Sequence, residues 1–218
     1  MGQKVNPHVI RLGTVFTWSS RWFDERTYKD AVLEDYLLRT MLMLRLKSAG
    51  VASVEIERSI NSLRIIIHVS RPGIVIGRGG TGLEELKKSI IAFFARHRGN
   101  KIVPKMDIRV EPVKEPNLNA QLVATNIADQ LVRRLPFKRI LSSTSERVMS
   151  SGALGVKILI TGRIGGAEIG RREKIRVGTV PVSTIRENIS YAQVPALTKK
   201  GYIGIKVWIN RPEGKEIL

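Results

Sequence analysis

The sequence predicts an α+β chain of two domains. Three observations carry this expectation. From Thr27 to Val110 the apolar pattern runs helix, strand, strand, short helical turn, helix, strand. Pro112 and Pro116 then interrupt it, with turn-prone residues between them. Beyond them come two helical stretches and after these only strand patterns. The expected divisions are a basic arm at 1–20, a first domain at 21–113, a second at 114–210 and an exposed tail at 211–218.

Met1 to Ser20 has no helical period. Lys4, Arg11 and Arg21 punctuate the region, with Trp18, Trp22 and Phe23 close by. Basic side chains beside rings suit RNA stacking, and packing of the rings on the next helix suits the pattern equally. Thr27 to Ala49 is a helix with Val32, Leu33, Tyr36, Leu37, Met41 and Leu44 on a broad apolar face. Asp35 and Arg39 stand at i,i+4, and Gly50 follows its end. Val51 to Glu57 and Leu63 to Val69 read as a hairpin whose second strand is buried. His68 in that strand reads as a hydrogen-bonded sheet residue. Met106 to Val110 alternates as a further strand.

Between these strands lies Pro72 to Arg98. Three apolar residues, Ile74 to Ile76, end at the turn Gly77-Arg78-Gly79-Gly80, and a helix with Leu83, Leu86, Ile90, Phe93 and Phe94 follows. Glycines allow positive φ and close backbone approach, and the helix start behind them favours an anion. Two families use such a turn. Gly77-x-Gly79-x-x-Gly82 fits the dinucleotide fingerprint, and Gly77-Arg78-Gly79-Gly80 fits the GXXG loop of KH domains. The order of elements decides for KH. A Rossmann turn needs a preceding strand inside a βαβ unit, whereas Pro72-Gly73 opens only one helical turn here. There is also no Gly-Lys-Ser/Thr for a P-loop.

In the second half a helix begins at or just after Leu118, with Leu122, Ile127, Leu131 and Leu135 on its stripe. Pro136 breaks it, and Phe137 to Ser150 forms the next. Arg133, Arg134, Lys138 and Arg139 gather at that junction and form either a phosphate site or a solvated corner. Strands follow at Gly155 to Thr161, Arg171 to Val177, Ile189 to Leu197 and Ile203 to Ile209. Pro195 points to an edge strand, and Lys199-Lys200-Gly201 to a turn. The run Gly162 to Gly170 would present Arg163, Arg171 and Arg172 to RNA, or supply the glycines of a hairpin. Both readings hold together.

The charge is the unusual bulk quantity. Net charge is +18 over 218 residues, with 19 basic against 11 acidic residues up to Val113 and 18 against 8 beyond. The excess is thus spread over folded sequence and attracts polyanions, nucleic acid before membrane. No Cys is present, which excludes disulfides, thiolate catalysis and cysteine zinc sites. Neither a secretory pattern nor a membrane-length apolar run is visible. With only His8, His68 and His97 available, no catalytic triad or metal constellation stands out, so no enzyme activity, cofactor or metal is expected.

Four separated stretches resemble one family: Met1-Gly2-Gln3-Lys4-Val5-Asn6-Pro7; Arg71-Pro72-Gly73-Ile74-Val75-Ile76-Gly77; Gly162-Arg163-Ile164-Gly165-Gly166-Ala167-Glu168-Ile169; and Gly204-Ile205-Lys206-Val207-Trp208-Ile209. They look like the bacterial-type small-subunit ribosomal protein S three family, over nearly the full length and in order. The resemblance implies a type II KH domain, with helices on a three-stranded mixed sheet. It further implies a second α+β domain of two helices and a mostly antiparallel sheet. It implies a structural, non-enzymatic place in the head of the small subunit of a cytoplasmic ribosome. The partners it implies are small-subunit rRNA, mRNA along the channel by which it enters, and ribosomal proteins S ten and S fourteen. The GXXG maps onto Gly77, Arg78, Gly79 and Gly80. Two of the family's three mRNA-facing basic residues match Lys138 and Arg139; the third falls on Ser142, which leaves less charge there. A free KH-type RNA-binding regulator is the alternative, and the second basic domain and the arm weigh against it.

Overall fold

The computed structural model describes residues 5–59, 62–98 and 105–212. The chain divides into two compact units, one of Trp18–Lys114 and one that joins the residues up to Thr17 to those from Glu115 onward.

The first unit contains β1 (Ser20–Arg21), α1 (Tyr28–Arg45), β2 (Val51–Arg58), β3 (Ser62–Val69), α2 (Pro72–Ile76), α3 (Thr81–Arg98) and β4 (Lys105–Pro112). Its sheet runs β1-β2-β3-β4. The central pair is antiparallel and the two outer pairs are parallel. The sheet therefore has four strands where three were expected. β1 is two residues long, too short for any period to betray it. It is held by Ile56 N donating to Ser19 O at 2.9 Å and by Arg21, which bridges Glu55 at 3.0 Å and Glu57 at 3.1 Å. The core lies between this sheet and the helices: Ile56, Ile65 and Ile67 from the strands meet Leu38, Leu42, Leu86, Ile90 and Phe94. The strands and α3 follow the periods read in the sequence, but α1 does not. Leu38 and Leu42 are its buried face, and Val32, Leu33, Tyr36, Leu37 and Leu44 of the expected face are exposed. Apolar residues stand all round this helix, so the period alone does not choose between its sides.

Asp35 and Arg39 do not form the expected helix-surface pair. Asp35 is buried and accepts from Ser20 Oγ at 2.8 Å, Trp22 Nε1 at 2.9 Å and Arg58 Nε at 2.8 Å. Arg39 donates to Ser19 O at 2.9 Å, Val54 O at 3.2 Å and Ser20 Oγ at 2.5 Å. It thus meets Asp35 through that shared hydroxyl and through its charge, and not as a surface ion pair. A buried carboxylate needs several donors to offset its lost hydration, and the edge of the sheet supplies them. Trp22 is thereby tied to α1, while Trp18 and Phe23 stay exposed. His68 is buried in β3 between Glu55 Oε1 at 3.5 Å and Glu111 Oε2 at 3.6 Å.

The second unit contains α4 (Ala120–Val132), α5 (Phe137–Ser150), β5 (Gly155–Gly162), β6 (Arg171–Gly178), β7 (Ile189–Thr198) and β8 (Gly201–Asn210). The sheet order is β6-β5-β8-β7, antiparallel throughout. Pro195 stands on edge strand β7, where its missing N–H costs no ladder bond. Asn119 caps α4: its Oδ1 accepts from Gln121 N at 3.0 Å, worth ~1 kcal/mol. Ile127, Leu131, Ile140 and Val148 of the helices pack on Val156, Ile158, Ile160, Ile205 and Val207. The alternate residues Leu159 and Trp208 join a smaller cluster with Val180 and Ile189.

Two arginines expected at the surface are interior struts of this unit. Arg11 is fully buried and donates to Pro7 O at 2.9 Å, Val182 O at 2.9 Å, Thr184 O at 2.7 Å and Glu187 O at 2.8 Å. Residues 5–17 of the expected arm are therefore folded onto the second domain, while residues 18–20 belong to the first unit. Arg211, expected in an exposed tail, is also buried; it donates to Leu118 O at 2.8 Å and Ser190 Oγ at 3.3 Å. Burial pulls its pKa down to about 10, with Glu115 acting in the opposite sense. Residues 1–4 of the expected arm and 213–218 of the expected tail lie outside the described residues.

Candidate nucleic-acid interface

In the first unit, α2 ends at Gly77 with φ 71°. One 3-10 turn, Arg78–Gly80, leads directly into α3. The element before the glycines is a helix, as the KH order requires and a dinucleotide turn does not. A Cβ at Gly77 would lie 2.9 Å from Gly82 N, and one at Gly82 would lie 2.6 Å from Val75 O. These two glycines let α2 and α3 meet backbone to backbone. Gly79, at φ 61°, and Gly80, at φ 84°, face open space. Arg78 is exposed at the tip, and among the described residues its guanidinium has no side-chain partner. The loop thus presents a cation beside accessible backbone, an arrangement suited to a phosphate.

In the second unit, α4 gives way to α5 over four residues, and the expected cations gather there. Arg134 sits at φ 62° and is the one non-glycine residue with positive φ among those described. Its N–H donates to Leu131 O at 2.9 Å, and Leu135 N donates to Gln130 O at 3.3 Å. This is the left-handed residue that closes a helix, a place usually held by glycine. Pro136 then starts α5 and offers no side-chain cap to its first N–H groups. Lys138 and Arg139 stand exposed on that uncapped first turn, while Ile140, Leu141 and Val148 anchor the helix in the core. Ser142, one turn on, donates to Glu146 Oε1 at 3.1 Å. The third position therefore lacks a cation and has an acid beside it.

The glycine run after β5 makes the turn of the β5–β6 hairpin. Gly162 pairs with Arg171, and Gly165 and Gly166 take φ 70° and 82°. Arg163 is exposed, and its Nε donates to Ala167 O at 2.8 Å. Arg171 and Arg172 do not act together, because neighbours on a strand face opposite ways. Arg171 stacks over Phe137, with Cζ 5.2 Å from the ring centre, and its Nε lies 3.8 Å from Glu173 Oε1.

Sequence reasoning missed two cations of this region. Lys199 and Lys200, read only as a turn, border a cleft of about 370 Å³ together with Arg134 and Arg163. Strand register carried the information: β5 ends at Gly162 opposite Ile203, two residues beyond the β7–β8 turn. Without knowing which strands pair, that adjacency cannot be read. Among the described residues no group of three or more His, Cys, Asp or Glu is placed to hold a metal ion, and no helix is long and apolar enough to cross a membrane.

Comparison with known proteins matches these two units in order. A family described as KH domain matches residues 37–118, and one described as Ribosomal protein S3, C-terminal domain, matches residues 127–209. A protein of Desulfosudis oleivorans named small ribosomal subunit protein uS3 is 46% identical over 98% of this chain and 96% of its own length. The proteins of that name in Lachnoclostridium phytofermentans and Bacillus thuringiensis are each 44% identical, over 98% of this chain and 94% of theirs. The chain belongs to the uS3 ribosomal protein family. This is a structural, non-enzymatic family, so the exposed cations of this uS3-family chain need no catalytic reading. The GXXG turn and the α4–α5 junction fall one in each matched domain.

Proposed function

We propose that this chain is a structural constituent of the small ribosomal subunit that binds rRNA in the head and lines the channel by which mRNA enters. Family membership supports the ribosomal place. The observation that carries the RNA assignment is the junction itself: Lys138 and Arg139 are exposed on an uncapped helix start, close in the chain to Arg133 and Arg134. Cations beside free N–H groups suit phosphates. Lys138 and Arg139 face the message in this reading. Arg78 within Gly77–Gly80 and the arginines Arg163, Arg171 and Arg172 contact rRNA or mRNA. Arg171 contributes less than the others, because Phe137 and Glu173 already engage it.

Protein neighbours have a separate surface. Leu33, Tyr36 and Leu44 of α1 are exposed apolar residues, and clustered apolar surface marks contact sites. Ribosomal proteins S ten and S fourteen are the proposed partners.

Sedimentation of a native extract tests the assignment. The chain is expected to travel with small subunits of the cytoplasmic ribosome. Free migration, with crosslinks scattered over messages instead of head rRNA, would replace this reading with that of a free KH regulator. Within the ribosome, Lys138→Ala with Arg139→Ala is expected to slow translation through structured mRNA while subunits still assemble. Failed assembly with normal passage through structure would contradict the role given to these two residues.

A further inference from the structure

The cleft beside the α4–α5 junction differs from the rest of the basic surface, because its cations surround apolar side chains. Arg134, Arg163, Lys199 and Lys200 border it, and Leu135 and Phe137 lie among them. Leu135 is 48% exposed, a solvent-facing apolar side chain with cations on the residues around it. Arg134, Lys199 and Lys200 have no ion-pair or hydrogen-bond partner for their charged groups among the described residues, and no carboxylate lines the cleft. At about 370 Å³ it falls in the range of small-molecule sites, which are ~300–1,000 Å³.

The combination selects a ligand class. A duplex phosphate backbone needs charge alone and has no use for an apolar recess. An unstacked nucleotide needs both, since its base seeks an aromatic or apolar surface and its phosphates seek cations. Phe137 offers a ring whose position is steadied by the Arg171 guanidinium, 5.2 Å from its centre. Resting on the ribosomal RNA-binding reading above, we propose that this cleft receives one unstacked nucleotide of a single-stranded RNA segment, with the base against Leu135 and Phe137 and the flanking phosphates on Arg134, Arg163, Lys199 and Lys200. The β7–β8 turn thereby becomes part of the RNA site.

The test uses the full chain and a uridine hexanucleotide, with inorganic phosphate and a glutamate hexapeptide as competitors. Leu135→Trp fills the cleft and keeps every cation. It is expected to weaken hexanucleotide binding by about five- to tenfold with an unchanged salt slope. Lys199→Gln with Lys200→Gln alters only the exposed turn and is expected to reduce the magnitude of that slope by about 1.4, the single-strand value for two phosphate contacts. Neither competitor is expected to displace the RNA at equal concentration. Unchanged affinity in Leu135→Trp, with the fold intact by circular dichroism, overturns the proposal, as does displacement by the glutamate peptide. Crosslinking in small subunits with and without mRNA then separates the sources: an rRNA nucleotide crosslinks to residues 198–203 in both, an mRNA nucleotide only when message is present. If the chain stays out of small subunits, the ribosomal reading fails, while the hexanucleotide titrations still decide the cleft. If it enters them and Leu135→Trp binds as the parent does, only the cleft fails.

Discussion

Arg134 and His8 show how single residues carry opposite kinds of information. At φ 62° Arg134 holds a conformation that glycine takes without strain. Arg134→Gly should therefore leave stability unchanged or raise it by about 1 kcal/mol, while weakening RNA binding through the lost charge. Thermal unfolding and an RNA titration on the same preparation check both halves; a loss of stability would mark Arg134 as a structural residue. His8 works inside the fold. Its Nε2 accepts from Tyr191 N at 3.0 Å, and burial, with Arg211 and Arg11 adding to it, pushes its pKa down to about 4. Between pH 6.5 and about 4 the unfolded chain binds this proton and the folded chain does not. The contribution of His8 is thus present above pH 6.5 and is lost as pH falls toward 4, by on the order of 3 kcal/mol. His8→Gln should flatten that part of the stability–pH curve by about one proton when compared with the parent. No sequence pattern marked His8, because its acceptor role needs Tyr191, far along the chain.

At the scale of elements, the GXXG turn separates into two functions. Gly82→Ala sets a Cβ 2.6 Å from Val75 O, a backbone atom that cannot move aside cheaply. It should destabilise the first unit by roughly 2–3 kcal/mol, as forced overpacking does, and denaturant unfolding measures this. Gly79→Asp points into open space at φ 61°. It should cost only about 1 kcal/mol and act mainly by repelling phosphate beside Arg78. Equal destabilisation by both would refute the division. The dinucleotide-like spacing of Gly77, Gly79 and Gly82 thus reflects tight packing of α2 on α3 together with an exposed tip. The helices and strands were legible as elements from their periods, though the buried side of α1, Leu38 and Leu42, was not. The α4–α5 break was legible from Pro136. β1 was not, since two residues held by a parallel neighbour carry no period.

Across the molecule, the net charge of +18 overstates the surface available to RNA. Arg11 and Arg211 are buried on carbonyl oxygens, and Arg58 is engaged with Glu34 at 2.8 Å and with Asp35. Arg11→Met strips four carbonyl oxygens of a shared donor. It should lower stability by roughly 3 kcal/mol or more and leave the salt slope of RNA binding of the folded chain unchanged. Lys138→Gln should do the reverse, reducing the slope by about 0.7 for one single-strand phosphate contact with little effect on unfolding. Chemical denaturation and a salt series of RNA titrations distinguish the two groups; a smaller slope in Arg11→Met would show that this arginine reaches RNA.

By itself the sequence determined the α+β class, the order of elements, the GXXG turn and the clustering of cations around Pro136. Each of these depends on residues near one another in the chain, where period, proline and glycine act directly on φ, ψ and burial. The tertiary structure decided which cations are free, which glycines serve packing, and that the β7–β8 turn borders the cleft beside Arg134. Those facts depend on strand pairing and burial between residues far apart in the chain; Arg11 and Glu187, for example, are 176 positions apart. Local pattern holds no record of such contacts, because a basic residue looks the same in sequence whether carbonyl oxygens or water surround it.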